Sequence, residues 1–235
     1  MEFSLVLQGP LCDHTFKLID NAMRCEKIKD IIVSHWNKDT LTGYMENYPS
    51  VKLVTADHLF HKKRHNPRNL ANQAATSLAG LLQSKSEYSI KLRSDWLAYN
   101  KFDSIIEKFN EHPEKILTSN IFFRPSTYAE HHCSDHLIVS KTDILIRGFI
   151  RVLWMCDNKI SIKCPENCIT LALLYAKKYD ITADIVLDMK SNFEIITIED
   201  STDDTDIEPY KRWRYLTSTY DEPKDPIISN INDYY

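Results

Sequence analysis

Glycine is scarce in this chain, with four in 235 residues. That count excludes collagen-like repeats, glycine-rich linkers and a glycine-rich phosphate loop, each of which needs several glycines at fixed spacing. No run of 18 apolar residues occurs, so no segment is expected to span a membrane. Basic excess is absent too: 29 Lys and Arg face 33 Asp and Glu, a net charge of −4. A surface of that balance is not built as a whole for nucleic acid. Paired cysteines are also missing. The six, at positions 12, 25, 133, 156, 164 and 168, are scattered through a chain too large to need staples, and they read as reduced thiols. His131, His132 and Cys133 with Cys156, Cys164 and Cys168 lack the Cys-x2-Cys spacing of a structural zinc site. These thiols are therefore expected in the core, as small hydrophobes. Met1–Gln8 has neither a basic flank nor a small-residue cleavage site, and reads as a first strand, not a signal peptide.

What is present is a foldable composition, 43% hydrophobic and 26% charged, enough for one large domain. Short apolar runs alternate with helical patterns, the signature of a parallel sheet covered by helices. Strands are expected at residues 3–8, 28–34, 51–55, 89–92, 116–119, 137–139 and 194–198. Helices are expected after a cap at Asp13 or Thr15, over residues 69–84, and near 102–110, 142–153 and 165–179. On residues 89–92, Ile90 and Leu92 face one way, Lys91 and Arg93 the other. The fold class is α/β: one domain over about 1–200, with a mainly parallel central sheet and helices on both faces. An acidic, aromatic-bearing arm over 201–235 is expected to pack on it.

In open α/β sheets ligands bind outside the carboxyl ends of the strands. Here those ends are Gln8-Gly9-Pro10, Ser34-His35-Trp36, Ala56-Asp57 and Ser94-Asp95-Trp96. An indole stacks on a base, and an amide or carboxylate holds base edges and ribose hydroxyls. Arg68 and the Lys62-Lys63-Arg64 run supply positive charge for a diphosphate. Arg68 precedes a helix start, where a cation is disfavoured by the helix dipole, so an anion contact is expected of it. The neighbouring Asn72 and Gln73 and the pair His131 and His132 read as solvated positions.

Leu7-Gln8-Gly9-Pro10, Ile32-Val33-Ser34-His35-Trp36, Asn69-Leu70-Ala71-Asn72-Gln73 through Gly80-Leu81, and Tyr88-Ser89-Ile90-Lys91-Leu92-Arg93-Ser94-Asp95 resemble, in order and spacing, the WavE-type lipopolysaccharide-synthesis glycosyltransferases. Cys133-Ser134-Asp135-His136 extends the resemblance, with His where that family is expected to have Trp. Together the segments span roughly residues 4–175. The resemblance implies a single Rossmann-like domain of the GT-A type, with a donor half over about 1–97 and an acceptor half over 98–200. It implies a nucleoside-diphosphate sugar, foremost a UDP-sugar, held by Gln8, Trp36, Asp57, Arg68, Asn72, Arg93 and Asp95. It also implies a divalent cation, Mn²⁺ or Mg²⁺, on Asp95. Arg93-Ser94-Asp95 carries one carboxylate where the usual Asp-x-Asp carries two, and no histidine follows His136. Either one Asp suffices for the metal, or Arg93 or Lys91 neutralises the leaving diphosphate without it.

An inverting transfer needs a base for the acceptor hydroxyl, and on the acceptor wall that the resemblance implies the candidates are Asp135 and Glu166, with His131 or His132 as a further contact to the acceptor if not simply solvated. Pro165 suits a first helical turn, where Glu166 is also favoured by the dipole. The expected activity is hexosyl or pentosyl transfer to a hydroxyl of a surface polysaccharide or lipopolysaccharide core, in the cytoplasm. Two alternatives stay open. One is a viral or phage enzyme glycosylating hydroxymethylated bases in DNA, with residues 61–68 tracking the backbone. The other is a non-catalytic nucleotide-sugar or carbohydrate-binding module.

Overall fold

All six residues of Phe3–Gln8 are buried, polar and apolar alike, which requires a strand covered on both faces. The computed structural model describes residues 1–35, 45–56, 69–95, 100–120, 131–160, 164–177 and 189–197. This strand, β1, lies inside a seven-stranded sheet with β2 (Ile28–His35), β3 (Lys52–Thr55), β4 (Tyr88–Arg93), β5 (Ile116–Ser119), β6 (Leu137–Lys141) and β7 (Phe193–Ile196). The spatial order is β3-β2-β1-β4-β6-β5-β7. β1 pairs in parallel with β2 and β4, β2 with β3, and β5 with β7. β6 alone runs against its neighbours, β4 and β5. The α/β class and mainly parallel sheet agree with the sequence reading.

The period of two sorts the side chains into two cores. Leu5, Leu7, Ile31, Val33, Ile90 and Leu92 pack with α1 (Asp13–Arg24) and α3 (Phe102–Glu111) on one face. Val6, Ile32 and Ile138 meet α2 (Leu70–Leu81), α4 (Thr142–Asp157) and α5 (Pro165–Lys177) on the other. A one-turn helix, α6 (Met189–Asn192), precedes β7; the sequence reading had no element there. No helix among the described residues is long and apolar enough to cross a membrane.

Two expectations are corrected. The N-cap of α1 is Cys12, not Asp13 or Thr15: the Thr15 hydroxyl, one turn inside, accepts from the Cys12 N–H at 3.1 Å, the reciprocal half of a capping box. Helix α2 is more than an amphipathic helix with one buried side. Eleven of its twelve residues are buried, because it is pressed between the sheet and α4. Gly80 permits the approach: a Cβ there would stand 2.5 Å from Val6 Cγ1 and 3.1 Å from Ser34 Cβ.

Candidate functional site

β1 and β4 end side by side. Gln8 is in register with Arg93 on one flank and Ser34 on the other, so these three residues project toward the α2 side of the sheet. Beyond the strands the two turns interlock. Ser94 N–H donates to Gln8 O at 3.0 Å, and Ser94 Oγ donates to Pro10 O at 2.8 Å. Gly9 has φ +139°, and a Cβ there would fall 2.6 Å from Ser94 Oγ, so only glycine fits the turn. Thr15 Oγ1 lies 3.2 Å from Ser94 O, and His14 Nδ1 3.4 Å from Asp95 O. Asp95 is thereby fixed beside Gln8, against the start of α1.

The charges around this edge are buried and mutually held. Arg93 Nε and Nη2 donate to Asp95 Oδ1 and Oδ2, both at 3.0 Å, a bidentate fork. Asp95 is 1% exposed. Arg93 Nη1 stands 3.8 Å from Asp135 Oδ2. The same Asp135 oxygen accepts from Gln73 Nε2, and Lys91 Nζ donates to the Asp135 backbone carbonyl. His136 Nε2 is 3.5 Å from Asp135 Oδ1. Burial would lower the Arg93 guanidinium, but Asp95, Asp135 and Glu166 outweigh it and hold it above its ordinary value. Lys91 is fully buried, and there burial wins: its ammonium falls to about 8 although Asp135 opposes the shift. The Gln8 side-chain oxygen, also buried, has no hydrogen-bond partner among the described residues.

A second group borders the first. His132 Nε2 lies 3.9 Å from Glu166 Oε2, and Cys164 completes a set whose ligand atoms are all within 4.8 Å of one another. Backbone ties hold this group. Cys133 N–H donates to Thr170 Oγ1 at 2.9 Å, Thr170 Oγ1 donates to Glu166 O at 2.7 Å, and Cys168 N–H reaches Cys164 O at 3.3 Å. An imidazole, a thiol and a carboxylate so placed can pass a proton or ligate a soft cation.

Of the residues singled out from the sequence, Gln8, Arg93, Asp95 and Asp135 come together at one edge, with Glu166 near enough to act on Arg93. Asn72 is half-buried one turn into α2 and donates to Asn69 Oδ1 at 2.6 Å. Trp36, Asp57, Arg68 and the basic run at 61–68 lie outside the described residues, as does the arm at 201–235. Three expectations of solvation or burial are corrected. Gln73 is buried on Asp135, because α2 turns that face to the sheet edge. His132 is buried rather than solvated, drawn in by the neighbouring Cys133 tie to α5. Five cysteines are buried as expected, but Cys164 is only half-buried, just before α5. His136, met only as a departure from a pattern, proves to be a buried neighbour of Asp135. A polar residue inside an apolar helical run, as Gln73 is, was the available signal for the missed contact.

No family model matches the sequence, and no curated protein matches it. Solved structures do share its fold. The 4-diphosphocytidyl-2C-methyl-D-erythritol synthase of Anaerococcus prevotii aligns over 83% of this chain and 86% of its own, with TM-score 0.51 and 8% identity. Glucosyl-3-phosphoglycerate synthase of Mycobacterium tuberculosis, in complex with Mn²⁺, UDP-glucose and phosphoglyceric acid, aligns over 84% of this chain and 70% of its own, with TM-score 0.52 and 10% identity. The same enzyme in complex with UDP gives TM-score 0.51. At these identities the likeness shows the fold alone: this chain shares the GT-A-like, Rossmann-like sheet-and-helix architecture of these two synthases.

Proposed function

We propose that this chain moves a sugar from a nucleoside diphosphate, foremost UDP, to a hydroxyl of a surface polysaccharide or lipopolysaccharide core. The observation that carries the reading is the buried cluster of Gln8, Arg93 and Asp95 at the carboxyl ends of β1 and β4. An unsatisfied buried amide oxygen beside a fixed guanidinium calls for a ligand that brings both donors and negative charge. A nucleoside diphosphate has base or ribose donors for Gln8 and phosphate oxygens for Arg93.

The fold implies a divalent cation, and Asp95 is the carboxylate that would hold it. Both Asp95 oxygens accept from Arg93, so a cation there must first displace the guanidinium. As arranged, the pair does not fit a metal. Yet the donor needs more positive charge than this edge holds: Lys91 and Arg93 face Asp95, Asp135 and Glu166, formally one net negative charge. Lys62, Lys63, Arg64 and Arg68, in the segment leading into α2, are the source we assign.

In transfer, negative charge grows on the departing diphosphate, and groups that meet it there lower the barrier. Arg93, oriented by Asp95, is such a group. Glu166, a quarter exposed along its side chain, takes the acceptor proton. Asp135, bonded to Gln73 and facing Arg93, positions the cations. The test is donor turnover with UDP-sugars in chelator and in Mn²⁺. Glu166→Gln should keep UDP binding and lose roughly 10²–10⁴-fold in transfer, the usual worth of a general base. Asp135→Asn should weaken UDP binding as well. Release of no nucleoside diphosphate from any donor would sink the enzyme reading, and transfer that needs Mn²⁺ would return the cation to Asp95.

A further inference from the structure

The segment before β6 and the start of α5 assemble donors whose chemistry differs from that of the Asp95 edge. His132 offers a nitrogen, Cys164 a sulfur and Glu166 an oxygen, all within 4.8 Å of one another. Nitrogen and sulfur donors with one carboxylate suit zinc-class cations, whereas magnesium and calcium take oxygen. By zinc bond lengths, ligand atoms around a tetrahedral ion stand roughly 3.3–3.7 Å apart. The 3.9 Å from His132 Nε2 to Glu166 Oε2 is already near that. His132 is buried, while Cys164 and Glu166 are half-buried, so the group has a closed back and an open front.

The frame behind the ligands is tied before any ion arrives. Cys133, next to His132, is bonded to Thr170, Thr170 to the Glu166 carbonyl, and the Cys164 carbonyl to the first turn of α5. Pro165, between Cys164 and Glu166, restricts the backbone joining them. The neighbouring thiols are engaged elsewhere: Cys133 Sγ lies 3.0 Å from Thr170 Oγ1, and Cys168 Sγ 3.6 Å from Met155 Sδ.

We propose that His132, Cys164 and Glu166 form a three-ligand site for a zinc-class divalent cation, with a fourth position open to solvent. The site borders the donor edge, with Glu166 between them, and stands whether or not the chain uses nucleotide sugars. Where it does, the cation takes Glu166 out of proton transfer, so zinc inhibits.

The test uses the full chain, kept reduced with a phosphine, stripped with chelator and titrated with Co²⁺. One equivalent should produce thiolate-to-cobalt charge-transfer absorption in the near ultraviolet, and stoichiometric Zn²⁺ should abolish it. Zn²⁺ should also shield Cys164 from iodoacetamide, located by peptide mass. Cys164→Ser should lose the band and weaken Zn²⁺ binding by more than the ~10–100-fold that an outer-shell partner is worth. Glu166→Gln should keep the band with weaker binding. Absence of the band, its survival in Cys164→Ser, or shielding of a different cysteine overturns the site. If Cys164→Ser does not fold, the alkylation map of the unaltered chain decides. A chain that shows the band but turns over no donor keeps this site and loses the transferase reading.

Discussion

Removing the Asp95 carboxylate tests the organisation of the whole edge. In Asp95→Ala the Arg93 guanidinium, whose side chain is 14% exposed, loses a bidentate partner at 3.0 Å on both oxygens. Breaking a buried pair by deleting one member costs about 3–5 kcal/mol, because the survivor keeps its desolvation penalty. Here Asp135 at 3.8 Å retains part of the compensation, which places the loss near the lower end, at about 3 kcal/mol. For a domain of this size each kcal/mol moves the melting temperature by about 2–4 °C, so a drop of roughly 6–12 °C is expected.

Urea denaturation of four proteins measures the pair itself: the unaltered chain, Asp95→Ala, Arg93→Met and the double variant. The midpoint should fall with the slope unchanged, the sign that stability alone has moved. Because the double variant leaves neither charge stranded, its loss should fall short of the summed single losses by at least about 2 kcal/mol. Additivity within about 0.5 kcal/mol, or an Asp95→Ala melting point within about 2 °C of the unaltered chain, would refute the fork as an organising contact. UDP affinity measured on the same samples then separates function from folding, since Arg93→Met should lose UDP binding even where it remains folded.

Lys91 makes stability depend on pH in a defined sense. Its folded value, about 8, lies below the ordinary 10.5, so the unfolded chain binds its proton over that window and folding grows more favourable as pH rises from 8 toward 10.5. Relative to Lys91→Met, the unaltered chain should gain up to ~3 kcal/mol across it, read as urea midpoints against pH; parallel pH profiles would contradict the burial argument. At Gly80, alanine improves helix propensity by about 1 kcal/mol, but its Cβ would sit 2.5 Å from Val6 Cγ1, and overpacking costs about 1–3 kcal/mol. Gly80→Ala should therefore lower the urea midpoint, and a raised midpoint would mean that α2 sits farther from β1 than described.

Most elements were legible because their patterns are local. The wholly apolar centre of β2 and the alternation on β4 fix strands and faces, and the crossover helix follows from the spacing between strands 3–8 and 28–34. The pairing of Arg93 with Asp95 is not a strand pattern: β4 ends at Arg93, and the turn through Ser94 brings the Asp95 carboxylate back onto the guanidinium. What local pattern does not carry is which helix is buried all round. The small residues Ala71, Ala74, Ala75, Ala79 and Gly80 let α2 lie between two layers, and that arrangement turned Gln73 from a surface amide into the partner of Asp135.

The direction of one strand decides whether there is a site of this kind. β6 pairs antiparallel with β4, Leu137 opposite Leu92 and Lys141 opposite Tyr88, and Arg93 N–H donates to His136 O at 3.0 Å. The chain therefore enters β6 at the edge where β1 and β4 end, and the residues just before it, 132–136, are delivered onto Arg93 and Lys91. Were β6 parallel, its five residues would carry Asp135 to the opposite edge, roughly 17 Å away at ~3.4 Å per residue. Lys91 would then be buried without the Asp135 carbonyl, and Arg93 would lose the Asp135 carboxylate. Strand direction belongs to the assembled sheet, in which β6 pairs against both β4 and β5, and not to the five residues themselves. That is why Asp135 was recognisable as a candidate from its neighbours in sequence, while its partners Gln73, Lys91 and His136 emerged only once the sheet was assembled.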